Sequence, residues 1–434
     1  MVKNCISKIK KKKFSACIIG LGYVGLPLAS RLKKKNIKIY GIDTDKKKIN
    51  SLRKGKNYIQ SIDNTLPNYF KKNPENLSSH YKIIQKCDVI FICLPTPLKP
   101  NSKKPDMSFI FNCANNLKKF IKPYQTVILE STVYPGATKE FSKKLISKET
   151  VIGKNLFLGY SPERENPGDN NFSYQKTPKV ISGHSKNCKM IIKNIYDLFV
   201  KRTVLVEKIE EAELSKLLEN LYRAINIGLV NEMKIICKTL NIDIFNTINA
   251  AATKNFGFQK FLPGPGLGGH CIPIDPFYLS WISKKKGYDP KFIKLAGIIN
   301  SKIPYWTIDQ ILKFLKNKKK IRILLIGVSY KKNTDDDRES PTFEFIKILD
   351  KKNINFDYHD PYFDKLRKGR INKKNRTSIK LNKKNLEKYS AAILLTDHDM
   401  LNYKLIAKHS KLIFDTRGKF KDTSFKNNTN IIYC

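Results

Sequence analysis

Three features are missing from this sequence, and each absence excludes a class of protein. No apolar run approaches the roughly 18 residues needed to cross a bilayer, and the lysine-rich start precedes a strand rather than a signal-peptide core. The nine cysteines are scattered, odd in number and without a CxxC pair, which argues against a disulfide framework and a structural zinc site. We therefore predict a cytoplasmic protein with no membrane partner and no bound metal.

Basic residues dominate the charge without being gathered in one tract. Lysine and arginine number 83 against 37 acidic residues, a formal net charge of +46. The lysines accompany isoleucine and asparagine along the whole chain, and these three residues share A/T-rich codons. The pattern indicates a compositional bias of the source genome more than a nucleic-acid footprint, so we predict no nucleic-acid partner. The positive field would still concentrate an anionic substrate or cofactor, an effect that salt weakens.

Length and apolar content set the number of domains. A chain of 434 residues with 41% hydrophobic residues can fill two or three cores. The order of predicted elements gives an α/β fold with two Rossmann-like doubly wound sheet domains joined by a long central helix. We place the domains at residues 1–205, 206–305 and 306–434.

The first domain opens with a dinucleotide-binding pattern. An apolar strand, FSACIIG, runs into the GxGxxG motif of GLGYVG, where Gly20 allows a tight turn, Gly22 the close approach of a pyrophosphate and Gly25 close packing of helix on strand. Asp43 ends the next strand, where a carboxylate accepts hydrogen bonds from ribose hydroxyls, and Thr44 follows it without an arginine for a 2′-phosphate. NAD is therefore predicted over NADP. The predicted contacts in this module are Gly20, Leu21, Gly22, Tyr23, Val24, Gly25, Asp43 and Lys48.

Two more buried strands end in loops that we expect to touch the dinucleotide. CDVIFIC leads to Pro95 and Thr96, and QTVIL leads to Ser131 and Thr132. In an open α/β sheet the ligand lies at the carboxyl ends of the strands.

A further strand delivers Glu163 and Arg164 into the proline-bounded loop SPERENPG. A carboxylate there can act as a base or bind a hydroxyl, and a guanidinium can bind an anion. An ordinary surface ion pair is the alternative.

A proline-free segment at 210–240 has apolar residues at helical spacing. A helix of about 30 residues spans roughly 45 Å and would link the two ends of the molecule. Lys216, Asn220 and Arg223 share one face and suit an oxyanion or hydroxyl site, unless they form a solvated edge. The predicted packing surface is Leu217, Leu218, Leu221 and Ile225.

The stretch LPGPGLGGHCIPIDP, at 262–276, should be a stiff loop because its glycines and prolines rule out a regular helix or strand. It places Cys271 four residues before Asp275. A thiolate is a strong nucleophile once its pKa of about 8.5 is lowered or a base takes its proton, so Cys271 is a candidate for covalent chemistry. The alternative is a small buried cysteine.

The segment that begins IRILLIG opens a second strand, loop and helix unit that lacks GxGxxG. It should therefore be a sheet domain that does not hold a dinucleotide in the usual way. Lys331, Arg338 and Arg417 lie in its strand-end loops and are candidates for binding phosphate.

Together these motifs resemble the nucleotide-sugar 6-dehydrogenases, the UDP-glucose and UDP-N-acetylhexosamine dehydrogenase family. GLGYVGLPLA, CLPTP, STVYPG, SPERENPG, AELSKLLEN, GPGLGGHCIPIDP, YKKNTDDDRESP and DTRG occur in the family's order over nearly the whole chain. The resemblance implies an NAD-binding N-terminal domain, a central domain with the cysteine loop, and a C-terminal domain that binds a UDP-sugar. It also implies a dimer built on the long helix.

The resemblance assigns roles residue by residue. Cys271 matches the nucleophile and Asp275 the carboxylate after it. Lys216 and Asn220 match the oxyanion and water-positioning pair, and Thr132 and Glu163 the residues that organise water and act as base. Arg338 matches a contact near the cofactor pyrophosphate. The implied substrate contacts are Glu163, Arg164, Lys216, Asn220, Arg223, Lys254, Leu262, Gly266, Gly268, Lys331 and Arg417, and Lys254 stands where the family has an arginine that reaches a neighbouring subunit's substrate.

The implied reaction is a four-electron oxidation of the sugar C6 alcohol to a carboxylate through a cysteine thiohemiacetal and thioester. His270 and Ile274 in the cysteine loop are more similar to the branch that acts on UDP-N-acetylglucosamine or its epimers, in surface-polysaccharide synthesis, than to UDP-glucose enzymes. Three alternatives stay open: a UDP-glucose dehydrogenase, a two-electron β-hydroxyacid dehydrogenase without a covalent cysteine, and a non-enzymatic basic binding protein.

Overall fold

The fold is known from a computed structural model. It describes residues 2–59, 62–100, 102, 104–164, 177–269, 272, 274–317, 320–366, 375–421, 423–425 and 428–434. Among these residues, no helix combines the length and the apolar character that a bilayer crossing demands.

The chain clusters into two compact units. The first unit consists of Met1–Glu219 and Phe277–Tyr288, and the second of Asn220–Pro276 and Asp289–Cys434. The division into three domains at 205 and 305 is a finer statement and stays a prediction.

The first unit contains the sheet that begins with the glycine-rich motif. Its strands are β1 (Ser15–Ile19), β2 (Lys38–Ile42), β3 (Leu77–Ser78), β4 (Val89–Ile92), β5 (Thr126–Leu129), β6 (Phe157–Tyr160), β7 (Lys179–Gly183) and β8 (Thr203–Leu205). The described strands form one sheet in the order β3-β2-β1-β4-β5-β6-β7-β8, with parallel pairing except between β6 and β7. β4, β5 and β6 are buried along their whole length, which is why they read as continuous apolar runs. Because β2, β1, β4, β5 and β6 are parallel neighbours, the loops after them lie along one edge of the sheet.

Helices flank this sheet. They are α1 (Val2–Lys10), α2 (Gly25–Lys34), α3 (Lys46–Arg53), α4 (Thr65–Lys72), α5 (Ser108–Lys118), α6 (Ala137–Leu145) and α7 (Lys186–Tyr196). The lysine-rich start, which sequence reasoning treated only as a lead into β1, forms α1. Ile9 is buried in the core of the unit while most lysines of α1 face outward, so the segment is amphipathic.

The long helix is α8 (Ile209–Thr239), 31 residues, as predicted. Leu217 and Leu221 are buried, in line with the predicted packing surface. The prediction for Leu218 is wrong, since this side chain is 60% exposed. The buried face continues through Ala224, and Leu218 lies about 100° away from Leu217 around the helix, beside the exposed Tyr222.

The second unit contains a smaller sheet. Its helices are α9 (Ile244–Ala251), α10 (Asp275–Lys285, which passes into the first unit at Phe277), α11 (Lys291–Phe314), α12 (Thr342–Lys351), α13 (Lys383–Leu386) and α14 (Tyr403–His409). Its strands are β9 (Arg322–Ile326), β10 (Asn355–His359), β11 (Lys365–Leu366), β12 (Arg376–Thr377), β13 (Ala391–Leu394), β14 (Ile413–Asp415) and β15 (Ile431–Tyr433). The order β10-β9-β13-β14-β15, parallel throughout, confirms a second Rossmann-like sheet. β11 and β12 form a separate antiparallel pair.

Candidate active site

The turn after β1 contains two glycines that the fold requires and one that leaves room for a ligand. Gly20 has φ +95°, and a Cβ there would lie 2.5 Å from the carbonyl oxygen of Cys93. A Cβ on Gly25 would lie 2.0 Å from the carbonyl oxygen of Gly20, whereas one on Gly22 would meet nothing within 4 Å. The motif therefore has the tight turn, the close helix contact and the open space that a pyrophosphate needs at a helix N-terminus. The residues present fit NAD.

Asp43 supports this turn as well as lying at the predicted ribose position. Its Oδ2 accepts a hydrogen bond from the backbone N–H of Leu21 at 2.9 Å, and the ammonium of Lys48 lies 3.3 Å from the same oxygen. The hydroxyl of Tyr58, which sequence reasoning missed, donates to the Leu21 carbonyl at 2.7 Å. Tyr23 and Val24 follow half-buried.

The loops after β4 and β5 are tied to each other. Thr96 Oγ1 donates to the carbonyl of Thr132 at 2.8 Å, and Ser131 Oγ donates to the carbonyl of Leu94 at 2.7 Å. The buried Tyr278 of α10 donates to the Thr96 carbonyl at 2.7 Å. These hydroxyls therefore order the loops, and a direct contact with the dinucleotide stays a prediction for them, for Thr132 and for the exposed Pro95.

Glu163 and Arg164 follow β6 and differ in their partners. Arg164 donates to the carbonyl of Pro178 at 2.7 Å and pairs with Glu219 of α8 at 2.7 Å. Its guanidinium thus forms the ion pair that was the alternative interpretation. Glu163 Oε1 accepts from the Arg164 N–H at 2.9 Å, and Glu163 Oε2 lies 3.5 Å from the ammonium of Lys179.

Lys179 belongs to a buried cluster that sequence reasoning missed. Its ammonium lies 2.6 Å from Glu130 Oε2, and the side chains of Lys179 and Glu130 are 2% and 0% exposed. Tyr196 donates from its hydroxyl to the other oxygen of Glu130. The signal was available: Lys179 opens an otherwise apolar strand, and Glu130 directly follows another.

The first turns of α8 carry Lys216 and a second buried carboxylate. Lys216 is 7% exposed, and none of the described carboxylates lies within 4.0 Å of its ammonium, so its charge is available for an oxyanion. One turn earlier, Glu213 accepts from the backbone N–H of Gly136 at 2.6 Å and of Thr138 at 2.8 Å, at the start of α6. Burial raises the pKa of Glu213 to about 7, opposed by these hydrogen bonds.

Cys271 lies outside the described residues, as does His270, but both flanks of their loop are described. At one flank, Gly264 N–H donates to Asn231 Oδ1 at 3.0 Å, and the Lys234 ammonium donates to the Gly264 carbonyl at 3.2 Å. Burial lowers the pKa of Lys234 to about 8. Asn231 and Lys234 are one turn apart on α8, so the helix holds both polar groups of Gly264.

At the other flank, the structure brings three predicted residues together. The Asn220 amide donates to the carboxylate of Asp275, and Arg223 donates to the Asn220 oxygen. Asn220 and Asp275 are 0% and 3% exposed, while Arg223 is exposed. The cysteine loop is therefore bracketed by side chains of α8 at both ends.

The other predicted residues of this loop have different environments. Gly266 has φ +132°, and a Cβ on Gly268 would lie 2.8 Å from Pro341, so both positions need glycine. Leu262 is 45% exposed. Lys254 is exposed with its ammonium 4.5 Å from the ring centroid of Phe256, and no contact joins it to the other predicted residues in the described part of the chain.

The predicted phosphate ligands of the second sheet lie in its strand-end loops. Arg417 donates to the carbonyl of Leu395 at 2.7 Å, and its Nη1 would lie 3.1 Å from a Cβ on Gly264. Burial lowers the pKa of Arg417. Arg338 forms a bidentate ion pair with Asp336 rather than presenting an unpaired guanidinium.

Lys331 is half-buried in the loop after β9, where Thr334 donates to its carbonyl at 2.9 Å. The carbonyl of Arg338, in the same loop, accepts from Gly269 N–H at 3.1 Å. This loop therefore supports the backbone of the cysteine loop. Substrate contact by Lys331 and Arg417 stays a prediction.

Comparison with known proteins gives the family. Models of the UDP-glucose/GDP-mannose dehydrogenase family match in order: the NAD binding domain at 14–200, the central domain at 210–302 and the UDP binding domain at 324–422. UDP-N-acetyl-D-mannosamine dehydrogenase of Methanococcus vannielii is 34% identical over 367 residues, 83% of this chain and 82% of that protein. UDP-N-acetyl-D-glucosamine 6-dehydrogenase of Pseudomonas aeruginosa is 34% identical over 362 residues, 81% of this chain and 83% of that protein.

A solved structure, that of UDP-D-ManNAc dehydrogenase from Pyrococcus horikoshii, is 26% identical with a TM-score of 0.84 and covers 96% of this chain and 98% of that one. The predictions of an NAD-dependent enzyme and of its cofactor are thereby confirmed. The chain belongs to the UDP-glucose/GDP-mannose dehydrogenase family.

Proposed function

We propose that the protein oxidises the C6 hydroxyl of a UDP-N-acetylhexosamine to a carboxylate, consuming two NAD per sugar. The observation that carries the proposal is the pair of contacts at the two flanks of the cysteine loop, where Asn231 of α8 binds Gly264 and Asn220 of α8 binds Asp275. Positioning of a nucleophile, the role proposed for Cys271, is what covalent catalysis requires.

NAD, when bound, accepts hydride from the sugar. The turn at Gly22 leaves space for the pyrophosphate of NAD, and Asp43 is the carboxylate that would accept hydrogen bonds from the ribose of NAD. The specific roles of Pro95, Thr96, Ser131 and Arg338 at the cofactor remain predictions.

Several side chains of the protein then act at separate steps of the reaction. Glu163, directly or through water held by Thr132, accepts the proton of the C6 hydroxyl. Cys271 adds through its sulfur to the resulting aldehyde, and loss of a second hydride leaves a thioester that water hydrolyses to the carboxylate and free thiol. Lys216 stabilises the negative oxygen at each tetrahedral stage, and Asn220 orients Asp275 and the attacking water. Loss of one such oxyanion contact typically costs about 3 to 4 kcal/mol of barrier.

Two observations support an acetamido sugar as the substrate. The relatives from Methanococcus vannielii and Pseudomonas aeruginosa are named for UDP-N-acetyl sugars, and the cysteine loop has the HCIPIDP form noted above. A product of this kind is a building block for surface polysaccharides, which is the role we propose. UDP-glucose is the alternative substrate.

A panel of UDP-sugars tests the substrate. NAD reduction should be fastest with UDP-N-acetylglucosamine or its galacto or manno epimer, with two NADH per sugar. Turnover of UDP-glucose at an equal or higher rate contradicts the acetamido choice, and one NADH per sugar would favour a two-electron β-hydroxyacid dehydrogenase.

Replacing the nucleophile tests the covalent step. Cys271→Ser should stop oxidation at the aldehyde level, so that less than two NADH form per sugar, while NAD affinity stays unchanged. Cys237→Ser replaces a buried cysteine of α8 and is the matched control. This variant should give the full yield of two NADH per sugar. A full yield from Cys271→Ser removes the thiol from the mechanism.

We also propose a homodimer through α8. Besides Leu218, its exposed side chains include Tyr222 at 47%, Leu229 at 54% and Ile236 at 43%, spaced along one side of the helix. Leu229→Glu should shift the mass measured by light scattering from twice the chain mass to the chain mass. A dimer that survives this change contradicts the assignment.

A further inference from the structure

The proposed base has a buried cation beside it. Lys179 begins β7, and its ammonium lies 2.6 Å from Glu130 Oε2 and 3.5 Å from Glu163 Oε2. The three side chains are 2%, 0% and 13% exposed. Burying a charge to this extent costs several kcal/mol unless it is paired. Even a paired buried charge keeps part of its desolvation cost, so a lysine shared by two carboxylates calls for a functional reason, and its position next to Glu163 points to the site.

The two carboxylates are not satisfied equally. Glu130 accepts from Lys179 and from the Tyr196 hydroxyl, so both of its oxygens have close donors. Within the described part of the chain, Glu163 Oε1 accepts only from the neighbouring Arg164 N–H, and Oε2 is buried without a hydrogen bond. Of the charged groups that the structure describes, Lys179 is the one that faces Oε2, and its distance of 3.5 Å is longer than that of a tight ion pair.

We propose that Lys179 is a positioning residue for Glu163, and that Glu130 limits how strongly it acts. The ammonium favours the ionised Glu163 carboxylate, the form that accepts a proton from the substrate hydroxyl. Glu130 binds the same ammonium more closely and keeps it from locking Glu163 into a short ion pair. The Glu163 carboxylate is thus held near the cation and is still able to turn to a substrate. This inference rests on the proposed function.

Other titratable groups near Glu163 do not replace Lys179. The Arg164 guanidinium is held by Glu219 and the Pro178 carbonyl. Burial, with Glu130 and Glu163 adding to it, raises the pKa of the Cys93 thiol well above its ordinary value, so Cys93 is neutral at physiological pH. Among the described residues, the balance at Glu163 is therefore set by Lys179 and Glu130.

The test is the acid limb of kcat/KM against pH, which reports the free enzyme's base. Lys179→Met should move this limb up by about one pH unit, because Glu163 then loses the cation beside its Oε2. Lys179→Arg keeps the charge and should leave the limb near its original position. Glu130→Gln should move the limb down, because Lys179 then acts on Glu163 without competition.

Lys189→Met is the matched control. Lys189 lies in the same unit, its side chain is 15% exposed, and it pairs with Glu207 of the surface. The same substitution there removes an ion pair without changing the field at Glu163, so the limb should not move. A general response to lost ion pairs would appear in this variant too.

A folded Lys179→Met enzyme whose acid limb matches wild type overturns the proposal. If Lys179→Met does not fold, Glu130→Gln decides: the limb should move down, because Lys179 then acts on Glu163 without competition, and an unmoved limb overturns the proposal. Failure of the proposed function would look different, since wild-type protein would then reduce no NAD with any UDP-N-acetylhexosamine.

Discussion

The two sheets of this molecule use one supporting contact in two ways. In the first unit, Asp43 follows β2 and accepts from the backbone N–H of Leu21 at 2.9 Å. In the second unit, Asp360 follows β10 and accepts from the backbone N–H of Val328 at 2.6 Å. In each sheet the donor directly follows a glycine of positive φ, +95° at Gly20 and +98° at Gly327. Each sheet therefore has a strand, a glycine after it and a carboxylate that binds the next backbone N–H in the same arrangement. We call this arrangement the frame.

What differs is the connection from glycine to helix. α2 begins at Gly25, five residues after Gly20, whereas α12 begins at Thr342, fifteen residues after Gly327. The short connection points the helix N-terminus at the turn, which suits a pyrophosphate. The long connection instead forms a loop that carries the predicted phosphate ligand Lys331.

The carboxylates also differ in their partners. Asp43, whose side chain is 9% exposed, pairs with Lys48, whose side chain is 37% exposed. Asp360 pairs with the buried His398 at 3.1 Å. His398 Nδ1 accepts from the Asn333 N–H, so the proton on Nε2 is donated to Asp360. The carboxylate of the frame is therefore paired with a partly exposed ammonium in the first unit and with a buried imidazole in the second, and a ribose contact by Asp43 stays a prediction.

The largest expected effect comes from adding a methyl group at the glycines of the frame. Gly25→Ala and Gly327→Ala should each cost about 3 kcal/mol of unfolding free energy or more, because the Cβ would meet backbone or a buried threonine at 2.0 Å and 2.4 Å. Gly22→Ala should fold normally and lower NAD affinity at least about tenfold, because only the ligand needs that space. Denaturant unfolding measures the stability of the three variants, and NAD titration measures their affinity for the cofactor. Equal stability of the Gly22 and Gly25 variants would contradict the different roles assigned to these two glycines.

Removing the two carboxylates should separate stability from cofactor binding. Asp360→Ala leaves buried donors and His398 without a partner, and should cost about 3 kcal/mol of unfolding free energy. Asp43→Ala should cost about 1 to 2 kcal/mol and strongly weaken NAD binding. The measurements are chemical denaturation and NAD titration on both variants. If Asp360→Ala weakened NAD binding as much as Asp43→Ala in folded protein, the assignment of separate roles would be wrong.

The pH dependence should distinguish Glu213 from Asp360. Burial raises the pKa of Glu213 from 4.5 to about 7. A raised carboxyl pKa means that the folded state holds a proton that the unfolded state has released, so stability falls as pH rises from about 4.5 to 7, by at most about 3 kcal/mol. Glu213→Gln should abolish this slope in unfolding experiments across that range.

Asp360 should act with the opposite sign. Burial alone would raise its pKa, but His398 and the backbone donors lower it below 3.8. Its contribution is therefore present above pH 4 and lost as the pH falls through the folded-state pKa. Glu213→Gln with an unchanged slope between pH 4.5 and 7 would contradict this division.

The smallest expected effect belongs to Lys48. Because its ion pair with Asp43 is partly exposed, Lys48→Ala should cost less than about 1 kcal/mol of unfolding free energy, and less at high salt. The melting temperature in low and high salt measures it. A loss as large as that of Asp360→Ala would mean that Asp43 depends on its cation as Asp360 depends on His398.

Local pattern predicted much of the fold and part of the site. The sequence predicted β1, β4 and β5 because strands that are buried along their whole length are continuous apolar runs. It predicted α8 because the apolar residues of that helix recur with a period of 3.6 residues. Asn220 and Asp275 were identified by resemblance, and the structure brings them into contact. Leu218 was misassigned, because a helix of mixed apolar residues does not reveal which side finds a partner.

The supporting groups were not predictable in the same way. Lys179 and Glu130 are 49 residues apart in the chain, and Asn231 and Gly264 are 33 apart. No local spacing relates such pairs, and in a lysine-rich chain one lysine is not marked out from the others.

By itself the sequence determined the elements, the glycine turn for a dinucleotide and the cysteine loop, because each depends on residues close together in the chain. Only the tertiary structure decided which carboxylate pairs with a partly exposed lysine and which with a buried histidine, and which lysine is buried between two acids. Those outcomes depend on strand order, which sets neighbours across dozens of residues, and on desolvation, which turns a common surface charge into one that must find a partner.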